Sequence, residues 1–187
     1  RKSIIEYICA INIDGTRSGS EDSSLNVIYL CALFCLEVII MYEKYMLEAL
    51  NEAKIALEEG EVPVGTVLVY KNKIIAKSHN TRIQDNCVIR HAEINVIQEA
   101  SKILKDWRLN DCVLYVTLLP CPMCSSAINQ SRIKKVICGT VPNNSDYALI
   151  YQILSDNSYG KPVELLTGIL EEECSQILKK FFSKKRD

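Results

Sequence analysis

Two short strings carry chemistry-bearing side chains at close spacing. The first is His91-Ala92-Glu93; the second is Pro120-Cys121-Pro122-Met123-Cys124, about one helix and one strand further along. Together they offer an imidazole, two thiols and a carboxylate. An imidazole and two thiolates form a borderline-soft ligand set, which suits Zn2+ over magnesium or calcium. Three protein ligands leave the fourth tetrahedral position open, and this separates a catalytic zinc from a structural one. The expected ligands are His91, Cys121 and Cys124. Zinc in such a site lowers the pKa of its water to about 7 and so supplies a nucleophile for an electrophilic ring carbon. A carboxylate outside the ligand set must then carry the proton, and Glu93 fits that role. Either string alone is ambiguous, because a lone CxxC also serves as a redox pair or as half of a structural zinc site. The conjunction, with both prolines present, favours the catalytic reading.

Helix starts must place these residues. Tyr45, Met46, Ala49, Leu50, Ala53, Ala56 and Leu57 recur at three and four and predict a helix from Tyr42, which Gly60 closes. Val64 to Tyr70 and Ile74 to Ser78 read as a hairpin about Lys71-Asn72-Lys73. His79 to Arg90 is polar loop. A helix follows from near His91 to about Leu104, then a buried strand over Val113 to Leu118. A further helix starts at Pro122, where proline suits the first turn. Val136 to Cys138 is a short strand. Asp146 to Leu154 reads as a helix that Pro162 ends. Glu171 to Phe182 is the last helix, its acids early and its lysines late, as the macrodipole favours. A hairpin followed by strand–helix alternation implies a layered α/β sheet. On this reading Cys121 and Cys124 turn both sulfurs to one point. Glu93, two residues beyond His91 on a helix, falls off its face and stays outside the ligand set. If the two helix starts converge, their dipoles add positive potential beside the metal.

The net charge is −1, so no global basic field advertises nucleic acid and any such contact is local. Lys179, Lys180, Lys184, Lys185 and Arg186 cluster around Phe181 and Phe182 at the end of the chain. That mixture suits phosphates and unstacked bases; the alternative is a solvated helix end with two core-facing phenylalanines. Nine cysteines without framework spacing favour free thiols in a reducing compartment, cytoplasmic or nuclear. Residues 1–40 form an extension unlike the rest, and 41–187 a self-contained domain. Asp14 to Ser24 reads as loop. Leu25 to Met41 is almost continuously apolar and reads as a buried helix or strand, a membrane span, or a foreign upstream segment. Its length and Glu37 argue against the span, so no membrane partner is expected.

The order H-x-E…P-C-x-x-C is a known signature of zinc nucleobase deaminases. From Met41 onward the chain resembles, more specifically, the tRNA adenosine deaminases that convert the wobble adenosine of the anticodon to inosine. The resemblance rests on Glu61-Val-Pro-Val-Gly-Thr-Val-Leu-Val69, Asn80, Arg90-His-Ala-Glu-Ile94, Leu114-Tyr-Val-Thr-Leu118 and Pro120 to Cys124. It continues through Ser131-Arg-Ile133, Gly168-Ile-Leu-Glu-Glu-Glu-Cys174 and Phe181-Phe182. It implies a three-layer α/β/α cytidine deaminase-like fold around a central mixed sheet. It implies Zn2+ on His91, Cys121 and Cys124, with Glu93 as proton shuttle. Asn80 would hydrogen-bond a flipped nucleotide, and Val64, Ala92 and Pro120 would line the base pocket; read alone, Asn80 is equally a turn residue after a strand. Lys180, Phe182, Lys184, Lys185 and Arg186 would touch RNA. The implied partners are a tRNA anticodon stem-loop and a second subunit, since the family builds its RNA site across a dimer. Arg90 resembles the catalytic subunit of the eukaryotic heterodimer, which points to a different deaminase-like partner.

Three features depart from the family, the first being that residues 1–40 have no counterpart in it. Leu119 stands where a glutamate usually precedes Pro-Cys, and the loop after Gly139 lacks the usual glycine-rich pattern. Two other functions share the metal site. One is a deaminase of free cytosine- or guanine-type bases or nucleotides, which the basic tail and Asn80 argue against. The other is a non-catalytic partner subunit, which retention of Glu93 argues against.

Overall fold

A computed structural model describes residues 21–143 and 146–183, the side chains of 21–32 and 35 excepted. The chain divides into two compact units, Arg1–Lys44 and Tyr45–Asp187. In the first, the apolar run belongs to helix α1 (Glu21–Glu58). The strand alternative for Leu25 to Met41 therefore fails, since Leu, Ala, Met and Glu are good helix formers and nothing in the run breaks a helix. The expectation of burial is corrected as well: Leu33, Phe34, Leu36 and Ile40 are exposed. Among the described residues no helix is long and apolar enough to cross a membrane. The loop expected over Asp14 to Ser24 lies outside the described residues as far as position 20. Glu21 to Ser24, with no Gly or Pro, already belong to α1.

The second unit is built on five strands: β1 (Gly65–Tyr70), β2 (Lys73–His79), β3 (Val113–Leu118), β4 (Lys135–Thr140) and β5 (Glu164–Thr167). Their order is β2-β1-β3-β4-β5. β1 pairs antiparallel with both β2 and β3, while β3/β4 and β4/β5 are parallel. The hairpin expected around Lys71-Asn72 is present, and both residues take the positive φ that its turn requires. β5 has no counterpart in the sequence reading. It is four residues long and only partly buried, so it offers neither alternation nor a buried run.

The remaining helices are α2 (Ala92–Leu104), α3 (Pro122–Gln130), α4 (Tyr147–Ser155) and α5 (Glu171–Ser183). Strand alternation assigns them to two layers. Leu68, Leu114, Val116, Val136 and Cys138 face a core shared with Val96 and Ala100 of α2, Ile128 of α3, and Ile150 and Leu154 of α4. Gly65, Tyr115 and Gly139 face the other way. The Tyr115 ring lies 5.1 Å from that of Tyr45 on α1, and Gly139 abuts Cys174 of α5. The result is a three-layer α/β/α arrangement with a mixed central sheet, the cytidine deaminase-like fold. Gly65 permits the closest approach: a Cβ there would stand 2.0 Å from the Ala49 carbonyl oxygen. Pro162 does not end α4. That helix stops at Ser155, where the Asn129 amide donates to the carbonyls of Ile153, Leu154 and Asp156 and Asp156 accepts from the Ser158 N–H.

Candidate metal centre and pocket

The two strings meet at two helix starts. His91 is the N-cap of α2 and Cys121 the N-cap of α3, both in extended conformation, and neither side chain caps its own helix. Their side chains are thus free to turn toward each other. His91 Nδ1 stands 3.7 Å from Cys121 Sγ and 3.5 Å from Cys124 Sγ. The three ligand atoms lie within 4.8 Å of one another. A nitrogen and a sulfur bound to one tetrahedral zinc, at their usual bond lengths, stand about 3.6 Å apart. The donor set therefore fits zinc in kind and in spacing.

Glu93 is 4 % exposed and lies within hydrogen-bonding reach of the Cys124 thiol. Glu93 is not kept off the His91 face by helical phase. His91 is a cap with extended backbone and not a residue of the helix, so two positions along the chain do not carry Glu93 away from it. Burial pushes the Glu93 carboxyl up to about 7, against an ordinary value near 4.3. Cys121 is pulled down to about 4, first by the Cys124 side chain and then by His91. The Cys124 thiol is driven strongly upward by its hydrogen bond to Cys121 and by burial. His91 is raised, chiefly by its hydrogen bond with Cys121. The N-terminal ends of α2 and α3 add positive potential beside both sulfurs.

The peptide between ligand and carboxylate is held from both sides. Asn80 Oδ1 accepts from the Ala92 N–H at 2.9 Å, and Asn80 Nδ2 donates to the Val62 carbonyl at 3.1 Å. Asn80, 5 % exposed, thus supplies the cap that His91 does not. Thr66 Oγ1 donates toward the Ala92 carbonyl at 2.9 Å. Val64, Ala92 and Pro120, expected in the pocket wall, are all buried. Leu119 is 7 % exposed and packs in the core; its N–H donates to the Thr140 carbonyl.

The expected RNA-contacting residues lie elsewhere. Lys180 and Phe182 are exposed near the end of α5, on the face of the sheet opposite α2 and α3, while Phe181 is buried. Lys184, Lys185 and Arg186 lie outside the described residues, as does part of the divergent loop after Gly139. Glu61, Thr66 and Asn95 hold the surroundings of the site, although the sequence motifs assign them no role. Asn95 donates to the His79 carbonyl and to Thr81 Oγ1.

The comparisons with known proteins agree with this geometry. The family of MafB19-like deaminases matches residues 40–186. The tRNA-specific adenosine deaminase of Bacillus subtilis is 46 % identical over 145 residues, covering 77 % of this chain and 90 % of the relative. That of Streptococcus pyogenes serotype M18 is 40 % identical over 144 residues, covering 76 % and 91 %. A solved structure from work on A-to-I editing by tRNA:A34 deaminases is 36 % identical, with a TM-score of 0.67, covering 72 % of this chain and 99 % of that one.

Proposed function

Because the chain belongs to the MafB19-like deaminases, and among them to the tRNA-specific adenosine deaminases, we propose that it converts adenosine to inosine at the wobble position of tRNA by hydrolysis. The observation that carries this reading is the convergence of His91, Cys121 and Cys124 beside the buried carboxylate of Glu93. His91 Nδ1 and the two sulfurs would hold zinc, and a zinc there would supply the polarisation that lowers the pKa of an attacking water. Glu93 takes a proton from the attacking water and delivers it to the purine ring nitrogen, then takes the second proton from the hydroxyl added at C6 and delivers it to the amino group that leaves as ammonia. Burial raises the carboxyl above the ordinary range, the direction that lets it both accept and return a proton near neutral pH. Water adds at C6, the C6–N bond breaks, and inosine and ammonia leave.

Asn80 orients the extruded nucleotide through its second amide N–H, the first being given to Val62. Val64, Ala92 and Pro120 form the wall against which the base lies. Residues 41–187 are the deaminase domain, 1–40 lie outside it, and the setting is reducing, cytoplasmic or nuclear. The RNA is an anticodon stem-loop, gripped by Lys180, Phe182, Lys184, Lys185 and Arg186 and by a second subunit. Arg90 is the residue that favours a different, deaminase-like partner. It ion-pairs with Asp85 and donates to Gln98, and the two curated relatives above are bacterial enzymes.

The test is direct. Purified protein, alone and with a candidate partner, is incubated with tRNA and with free nucleosides and bases, and inosine is measured alongside zinc content. Inosine at the wobble position with about one zinc per chain is expected. Deamination of free cytosine or guanine compounds in place of RNA would overturn the substrate. Less than half an equivalent of zinc in fresh protein would overturn the metal.

A further inference from the structure

Glu61 is the most deeply buried carboxylate among the described residues, at 1 % exposed, yet it lies off the proton path. It follows Gly60, whose φ of +80 lies just beyond the end of α1, and stands four residues before β1 begins at Gly65. Its Oε1 accepts two consecutive backbone N–H groups, from Ile83 at 2.6 Å and Gln84 at 3.0 Å. Those residues open the Thr81–Arg90 loop, which is closed on itself. Thr81 N–H donates to the Arg90 carbonyl at 3.0 Å, Asp85 N–H to Thr81 and Cys87 N–H to Arg82. The Asp85 carboxylate accepts from Thr81 Oγ1 and pairs with Arg90. The loop begins directly after Asn80 and ends directly before His91. Ile83, Val88 and Ile89 on it are exposed.

A carboxylate taken out of water is costly unless hydrogen bonds replace its hydration. Here the bonds tie the loop to the α1–β1 junction, and hydrogen bonds to a charged acceptor are about twice as strong as neutral ones. We propose that Glu61 is a positioning residue: it clamps the Thr81–Arg90 loop in the form that admits the target nucleotide between Asn80 and His91. The proposal rests on the deaminase reading of the site. His91 and Asn80 have anchors of their own, the metal cluster for one and Val62 and Ala92 for the other. Loss of Glu61 therefore loosens the loop and spares the centre, so substrate binding weakens more than chemistry.

The experiment compares wild type, Glu61→Ala and Glu61→Gln in full-length, zinc-loaded protein. Three quantities are read: kcat and KM on an anticodon stem-loop RNA, zinc content, and the rate of trypsin cleavage after Arg82 and Arg90 inside the loop. For Glu61→Ala, KM rises about tenfold or more with kcat within about threefold, zinc is unchanged, and cleavage is about tenfold faster, the order expected from losing charge-assisted hydrogen bonds. Glu61→Gln keeps an oxygen for both N–H groups but loses the charge, so it shows smaller changes in the same direction. Wild-type cleavage rates in Glu61→Ala, or a fall in kcat at unchanged KM, overturn the proposal. Should Glu61→Ala fail to fold, Glu61→Gln decides, and wild-type KM and cleavage in that variant overturn the clamp. If even the wild type forms no inosine on RNA, the deaminase reading fails, and the trypsin rates still judge the clamp separately.

Discussion

At the scale of single residues, the proposed centre divides the labour between three groups that would hold a metal and one that would move a proton. His91, Cys121 and Cys124 present atoms at tetrahedral-zinc spacing. Glu93 is buried beside them without joining the set. The meeting of His91, Cys121 and Cys124 was legible in the sequence, because ligand chemistry depends on residue type and short spacing, both of which survive without coordinates. The reason given for keeping Glu93 apart did not survive, since it assumed that His91 is helical, and a cap residue does not follow helical phase. The roles make a sharp forecast. Glu93→Ala removes the proton carrier and no ligand. Turnover should fall by about 10²–10⁴-fold, the usual worth of a positioned acid–base group, with zinc content and melting temperature close to wild type. Retention of more than a tenth of the wild-type rate would remove Glu93 from the proton path.

At the scale of elements, the hairpin, the two site helices and the central strand followed from periodicity and punctuation. Three features did not. β5 is too short and too exposed to show a pattern. The end of α4 is set by Asn129 from another helix and not by the downstream proline. The apolar run before Tyr42 continues the helix expected after it, because composition alone does not mark an element boundary. The closest element contact is also invisible in sequence: Gly65 reads as an ordinary strand residue, yet it is where α1 meets the sheet. A methyl group there would lie 2.0 Å from the Ala49 oxygen and 2.5 Å from the Ala53 nitrogen. Both are backbone atoms and cannot rotate away. Gly65→Ala should therefore cost about 1–3 kcal/mol, as overpacking does, and lower the melting temperature by about 2–4 °C per kcal/mol at this chain size. Zinc content of the folded fraction should stay at wild type, because the metal-holding helices lie on the other face. An unchanged melting temperature would mean that α1 does not pack against β1 as tightly as these distances require.

At the scale of the whole molecule, the deaminase unit is small for its proposed substrate. A single α/β layer structure offers the metal pocket but little surface for an anticodon stem-loop. A dimer, with the same chain or a related one, is expected, and sizing by light scattering with and without RNA checks it. A strictly monomeric species fully active on tRNA would refute it.

The electrostatics of the whole chain set a second expectation at this scale. With a net charge of −1, affinity for RNA phosphate must come from local clusters and not from a general field. The densest run of cations is Lys184, Lys185 and Arg186, which continues from the exposed Lys180 and Phe182 of α5. Each phosphate neutralised steepens the salt dependence of binding by roughly 0.7–0.9. Deleting residues 183–187 removes those three cations, so the slope of log affinity against log salt should fall by about two and affinity should drop at low salt. Zinc content and the kcat of bound substrate should not change, since α5 packs on the face of the sheet away from α2 and α3. Unchanged affinity and slope would make the tail a solvated helix end. Recognition would then fall to the pocket and the second subunit, and small-molecule deamination would become the reading to test next.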